Sequence, residues 1–314
     1  MQLYTSAINC QDGRPDWIYL SPHLDDAVFS CGGRIALQVR AGMRVWVVTV
    51  CAGSPEGPLS DFAQALHEYW GLAETDAPAA RREEDRAALA LLGAVPVHWD
   101  FWDCIYRRAP DGRFLYPNHD ALWGPIAEED RALREELARW IAALPSSATI
   151  CVPLGAGGHV DHRLVRQAAE ATGRPLVYYE DYPYAGDVGK VEEALGEGDW
   201  ESEMVLLDAA ALEAKIAAAL CYRSQISSFW ADEADMAAHF RAYAAMVGGG
   251  NPAERYWNRE QGRTSQVAGR TSQVAGRRSQ VARRRSQGVG ARHASPLLAG
   301  RGVAGGRCAG PLWT

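Results

Sequence analysis

No Cys-x-x-Cys pair occurs among the seven cysteines (Cys10, Cys31, Cys51, Cys104, Cys151, Cys221 and Cys308), which favours reduced, buried thiols over a disulfide framework or a thiolate zinc site. No apolar run approaches the roughly 20 residues needed to span a bilayer, and the start from Met1 to Trp17 lacks the basic-then-apolar layout of a secretory leader. A cytoplasmic protein without a membrane span is the expectation. The first strand-like run is not followed by Gly-x-Gly-x-x-Gly, so a dinucleotide phosphate loop is missing, and the carboxylates standing there would repel a pyrophosphate. What the chain does have is apolar residues, 47% of 314, enough to bury a sizeable core.

Acid is missing from one region only. The ten arginines between Gly262 and Thr314 leave 22 of the 32 basic residues for the rest of the chain, against all 39 acidic ones, so a body near −17 precedes a tail near +10. The tail repeats every seven residues, Gly262 to Ala268, Gly269 to Ala275 and Gly276 to Ala282, then degenerates into Arg283-Arg284-Arg285-Ser286-Gln287. Only Val and Ala recur as apolar partners, and such low-complexity sequence cannot offset its ordering entropy. The expectation is a folded domain over 1–260 and a disordered, basic tail over 261–314. Binding of nucleic acid or an acidic surface by that tail is the functional alternative, weakened because no aromatic interleaves the arginines before Trp313.

Within the body, strand-like and helix-like stretches alternate. Trp17 to Leu20, Val45 to Val50, Val95 to Trp99, Thr149 to Val152 and Leu176 to Glu180 read as strands. Ala27 to Ala41, ended by Gly42, and His162 to Thr172, closed by Gly173 and Pro175, read as helices. Ala79 to Leu92 reads as another, with Ala80, Glu84, Ala87, Ala88 and Leu91 on its apolar stripe. Leu133, Leu137, Trp140, Ile141 and Leu144 mark a further stripe. This alternation predicts an α/β fold, a Rossmann-like, doubly wound and mostly parallel sheet, whose crevice opens at strand carboxyl ends where strand order reverses.

Two polar clusters sit at such ends. Pro22-His23-Leu24-Asp25-Asp26 follows the first strand, and Gly157-Gly158-His159-Val160-Asp161-His162 follows the strand at Thr149. Hydrolytic zinc takes three nitrogen or oxygen ligands and leaves one position to water, a set that His23, Asp26 and His162 supply. Zn2+ is the expected cofactor, with another divalent metal as the alternative. Asp25 then stands as general base, His159 stays free to act on substrate, and Asp161 is a carboxylate able to orient an imidazole. Helix capping is the plain alternative for each aspartate, although it needs only one carboxylate per helix. Arg81 either pairs with Glu84 on its own helix or reaches substrate. The aromatics Trp99, Phe101, Trp102, Tyr106, Phe114, Tyr116 and Trp123 are read as core or loop packing before sugar stacking.

His23-Leu24-Asp25-Asp26 and His159-Val160-Asp161-His162, in this order at strand ends, resemble the paired signatures of the LmbE-like or PIG-L superfamily of zinc-dependent N-acetylglucosaminyl deacetylases. Arg81-Arg82-Glu83-Glu84 leading to Leu91-Leu92-Gly93, and Lys215 through Tyr222-Arg223-Ser224-Gln225, are weaker echoes of the same family. The resemblance implies hydrolysis of an acetamido group on an amino sugar or conjugate, with His23, Asp26 and His162 on zinc, Asp25 as base and His159 aiding the oxyanion. Leu24 and Ala27 replace the usual proline and glutamate. Gly157 stands where some relatives carry a carbonyl-polarising tyrosine, so that helper comes from elsewhere or is absent. A hydrolase of another amide or carbamoyl bond, and a non-catalytic carbohydrate-binding module, are the alternatives.

Overall fold

The structure, a computed structural model, describes residues 13–73 and 76–259. The arginine-rich repeat, its expected disorder, its boundary at 260 and its binding alternatives therefore lie outside the described residues. Strands β1 (Trp17–Ser21), β2 (Val45–Thr49), β3 (Val95–His98), β4 (Thr149–Pro153), β5 (Leu176–Tyr179), β6 (Trp200–Leu206) and β7 (Ala253–Arg259) form one sheet. Helices α1 (Asp26–Arg40), α2 (Asp61–Tyr69), α3 (Ala77–Leu92), α4 (His119–Leu122), α5 (Arg131–Ala142), α6 (Val160–Glu170), α7 (Val188–Leu195), α8 (Ala209–Ala219), α9 (Arg223–Phe229) and α10 (Glu233–Val247) accompany it. None is long and apolar enough to cross a membrane.

The sheet order is β3-β2-β1-β4-β5-β7-β6. Strands β1 to β5 pair in parallel, whereas β7 runs antiparallel to both β5 and β6. The first five strands match the sequence reading, and the antiparallel pair extends it. The chain winds outward from β1 through β2 to β3, then returns to lay β4 on the other side of β1. Order reverses between β1 and β4, and the loops leaving those two strands diverge there to leave a crevice.

Side chains alternate across the sheet as strand geometry requires. Tyr19, Val45 and Val47 face a core layer with Phe29, Ile35, Ile216 and Phe240, while Ile18, Leu20, Trp46 and Val48 face a second layer with Leu137, Ile141, Leu164 and Val165. A strand buried on both faces explains the unbroken apolar run in β2.

Two helices depart from the expectation. Helix α3 does end at Gly93, which caps it in the left-handed region, but of the stripe Ala80, Glu84, Ala87, Ala88 and Leu91 it fully buries Ala88 alone. Its buried residues are Ala77, Pro78, Arg81, Asp85, Ala88, Leu89 and Leu92, and Leu91 is 59% exposed. Apolarity is a poor guide here because the inward face carries charges that find partners inside. Helix α6 begins at Val160, two residues before the expected start, since the His159 side chain accepts the Asp161 N–H and caps the first turn.

Candidate metal centre

His23 and His162 come to the same point from the two loops that diverge at the sheet's reversal, with Asp26 between them. The Asp26 carboxylate places Oδ2 3.2 Å from His23 Nδ1 and Oδ1 3.3 Å from His162 Nε2. The backbone N–H of His23 donates to the same Oδ2 at 2.7 Å and fixes the carboxylate at the start of α1.

Each imidazole is steered by a second carboxylate on its far side. His162 Nδ1 lies 2.6 Å from Asp181 Oδ1, and His23 Nε2 lies 3.0 Å from Asp161 Oδ2. A ring N–H donating to each of these leaves His162 Nε2 and His23 Nδ1 turned toward Asp26, the orienting arrangement common behind metal-bound histidines. His162 Nε2 is buried without a hydrogen-bond partner, because its approach to Asp26 is not aligned as a bond. Donors held tetrahedrally at zinc distances lie about 3.3 Å apart, which both histidine-to-Asp26 separations match, and two imidazoles with one carboxylate are a donor set that suits zinc.

Other donor groupings are less suited. Three groupings bring one ligand atom from each residue within 4.8 Å of the others: His23, His159 and His162; Cys104, His159 and Asp161; and His23, Asp103 and Asp161. His159 Nδ1 already accepts the Asp161 N–H, which puts the ring proton on Nε2 and makes that nitrogen a donor, not a ligand. Asp161 is taken up by Arg107, 2.6 Å away, and by the Cys104 N–H, while burial pushes the Cys104 thiol well above its ordinary pKa.

Charge in the cluster follows these contacts. Burial opposes a charge on His162, yet Asp26 and Asp181 raise its pKa to about 10. Burial likewise opposes charge on His23, and Asp103, Asp161 and Asp26 outweigh it to hold the pKa well above the usual histidine value. Despite burial, Asp26 is held well below the carboxylate range by His162 and His23, and Asp161 by Arg107 and His23. Burial and neighbouring His23 push His159 well below its ordinary value, so it is neutral. Asp25 goes the other way: burial and Asp26 lift it to about 7, against the pull of Arg81, His23 and His162.

Asp25 occupies the residue before α1 but makes no side-chain cap there. Its carboxylate faces a cavity of about 60 Å³, lined also by His23, Asp26, Arg81, Asp103 and His159. Arg81 does not pair with Glu84. Its Nη2 lies 3.4 Å from Asp25 Oδ2 and its guanidinium covers the Trp70 ring, whereas Glu84 accepts from the Ser224 N–H and hydroxyl. Of the aromatic stretch, Trp99, Tyr106 and Tyr116 are core.

The sequence does not single out Asp103 and Arg107, and it marks Glu180-Asp181-Tyr182-Pro183-Tyr184, after the fifth strand, only as a segment at the pocket mouth with no role for any one residue. Asp181 leaves β5 at its carboxyl end, as the two clusters leave β1 and β4, and that position was the available signal. Tyr184 stands against Gly157, where an added Cβ would lie 2.7 Å from the tyrosine Cβ. Its ring is 5.9 Å from that of His162.

The family model described as PIG-L, GlcNAc-PI de-N-acetylase, matches residues 18–172. The solved structure of the antimicrobial A40926 pseudoaglycone deacetylase is 31% identical, with a TM-score of 0.61, and the match covers 78% of this chain and 97% of that one. The chain belongs to the PIG-L family. The solved structure of a zinc-inhibited form of teicoplanin deacetylase matches with TM-score 0.68 at 28% identity, over 79% of this chain and 99% of that one. The 2'-N-acetylparomamine deacetylase of Niallia circulans is 27% identical over 242 residues, 72% of this chain and 86% of its own length. The PIG-L match contains the loops after β1 and β4 and helix α3 but ends before Asp181, which stands behind His162, and Tyr184, which lines the cavity.

Proposed function

We propose that this protein is a zinc-dependent N-deacetylase that removes the acetyl group from an acetamido sugar within a larger conjugate. The observation that carries the reading is the Asp26 carboxylate held 3.2 Å from His23 Nδ1 and 3.3 Å from His162 Nε2, with Asp25 facing the same cavity. Membership of a de-N-acetylase family and the printed activities of the relatives support the bond type.

His23, Asp26 and His162 would hold the ion, which supplies polarisation of the carbonyl and a lowered water pKa. Asp25 accepts a proton as the water oxygen attacks the acetamide carbon, and returns it to the nitrogen as the C–N bond breaks, releasing acetate and a free amine. Its carboxyl is already displaced to about 7, within reach of both protonation states. Neutral His159 donates from Nε2 to the oxygen on which negative charge develops. Asp161 acts through His23, which it orients. Arg81 keeps Asp25 aimed into the cavity.

A cytoplasmic setting belongs to the same reading, supported by five free cysteines among the described residues. The test is Asp25→Asn. Zinc content should be unchanged, while acetate release from N-acetylglucosamine glycosides should fall roughly 10²- to 10⁴-fold, the usual span for a general base. Full turnover by a zinc-loaded Asp25→Asn protein would remove the role.

A further inference from the structure

His162 is gripped between two carboxylates that arrive from different parts of the chain, Asp26 of α1 at 3.3 Å from Nε2 and Asp181, after β5, at 2.6 Å from Nδ1. A contact beside them joins the two supports. One helical turn along α1 from Asp26, on the same face, the Ser30 hydroxyl oxygen accepts the backbone N–H of Tyr182, the residue next to Asp181, at 3.1 Å. Ser30 and Tyr182 are both buried.

Ser30 is itself held in place. Its carbonyl accepts from the Lys215 ammonium at 3.0 Å, and that ammonium lies 2.7 Å from Glu254 Oε1. The two Glu254 oxygens accept the N–H groups of Gly33 and Arg34, each at 2.9 Å. The pair comes this close to α1 only because residues 32 and 33 are glycines: a Cβ at Gly32 would lie 2.9 Å from Lys215 Cγ, and one at Gly33 would lie 2.5 Å from Leu207 Cδ1 and 2.9 Å from Glu254 Oε1. Glycine inside a helix weakens it, and two in a row at this point are explained by the approach they permit. Lys215 and Glu254 are buried and neither lines the catalytic cavity. A buried pair of this kind is weak as a source of stability and better attested as a means of fixing one arrangement of the chain.

We infer that Ser30 is a positioning residue of the metal centre: seated by Lys215 and Glu254, its hydroxyl sets the separation of Asp26 and Asp181 and with it the aim of His162 Nε2. This rests on the metal reading of that histidine. Without the hydroxyl the buried Tyr182 N–H loses its acceptor, and the segment after β5 is no longer tied to α1. His162 then follows Asp181, its shorter contact, and Nε2 moves off Asp26.

The test measures zinc affinity by chelator competition on the full chain as wild type, Ser30→Ala and Ser60→Ala. Ser60 is the matched control, a buried serine whose hydroxyl oxygen accepts the Ala63 N–H at 3.0 Å at the start of α2. Both variants should melt about 2–4 °C lower, the shift expected for one lost hydrogen bond in a chain of this size. Only Ser30→Ala should lose zinc affinity, by roughly tenfold, and only it should shift the visible absorption of the cobalt-substituted protein. Wild-type zinc affinity in Ser30→Ala, or an equal loss in Ser60→Ala, overturns the inference. If Ser30→Ala does not fold, Ser30→Cys keeps the shape and weakens the acceptor; its affinity should still fall, and an unchanged value is the overturning result. A wild-type protein that takes up no zinc removes the metal reading and the inference with it, whereas zinc held equally well by wild type and Ser30→Ala removes the inference alone.

Discussion

Tyr184 fills the space that a side chain at Gly157 would need. The glycine has φ +84, a left-handed backbone, and a Cβ there would sit 2.7 Å and 2.8 Å from Cβ and Cγ of the tyrosine. The absence of a tyrosine at 157 is thus matched by a tyrosine arriving from the β5 loop, and the two choices exclude each other sterically.

Placing a side chain at 157 should therefore cost stability twice, through backbone strain and through displacement of Tyr184. Gly157→Tyr is expected to lower the unfolding free energy by about 2–4 kcal/mol, from strain and overpacking together, as read in urea denaturation. Gly157→Tyr combined with Tyr184→Gly should recover the packing share and keep the strain share.

Asp181 steadies His162 from behind, and it also accepts the N–H groups of Gly155 and Ala156. Asp181→Asn keeps an oxygen for those donors but removes the charge that orients the ring. Zinc affinity in a chelator competition should drop roughly 10- to 100-fold, with circular dichroism unchanged.

In zinc-free protein the His162 pKa of about 10 exceeds the ordinary 6.5, so the folded state holds that proton more tightly than the unfolded chain does. Its stabilising contribution is complete below pH 6.5 and is lost as the pH climbs toward 10. Denaturation of the metal-stripped protein should show a decline across that window. Zinc must evict the proton from His162, and from His23, whose pKa is also raised, so zinc uptake at neutral pH should release protons and tighten as pH rises. Calorimetry in buffers of different ionisation enthalpy counts them.

Arg107 is buried between Asp161, 2.6 Å away, and Asp130, 3.0 Å away. Arg107→Met should cost about 3–5 kcal/mol of stability by leaving two carboxylates without their cation. Arg107→Lys should restore part of the stability but lack the planar fork that reaches both acids.

Much of this arrangement was legible in the sequence because β1 and β4 are apolar runs followed within a few residues by histidine and aspartate. Their parallel pairing, with Ile18 opposite Ile150, carries both clusters to the same edge. Helix α3 was misread on its buried side because Arg81 and Asp85 face inward, and Asp85 is justified only by His98 at 2.7 Å and Tyr222 at 2.6 Å, contacts separated widely in sequence. Asp103 and Arg107 sit in a segment with no helical or strand period, so nothing local marks them. Strand β6 is exposed along most of its length and lacks an apolar alternation.

The register of two neighbouring strands brings the loops of His23 and His162 to one edge of the sheet. The excursion between β3 and β4 and the segment from α7 to α10 join other parts of the sheet, so changes at their exposed positions leave that register as it is. Reaction and substrate range are thereby inherited as separate modules: descent can alter the walls around the cavity while the bond being cut stays the same.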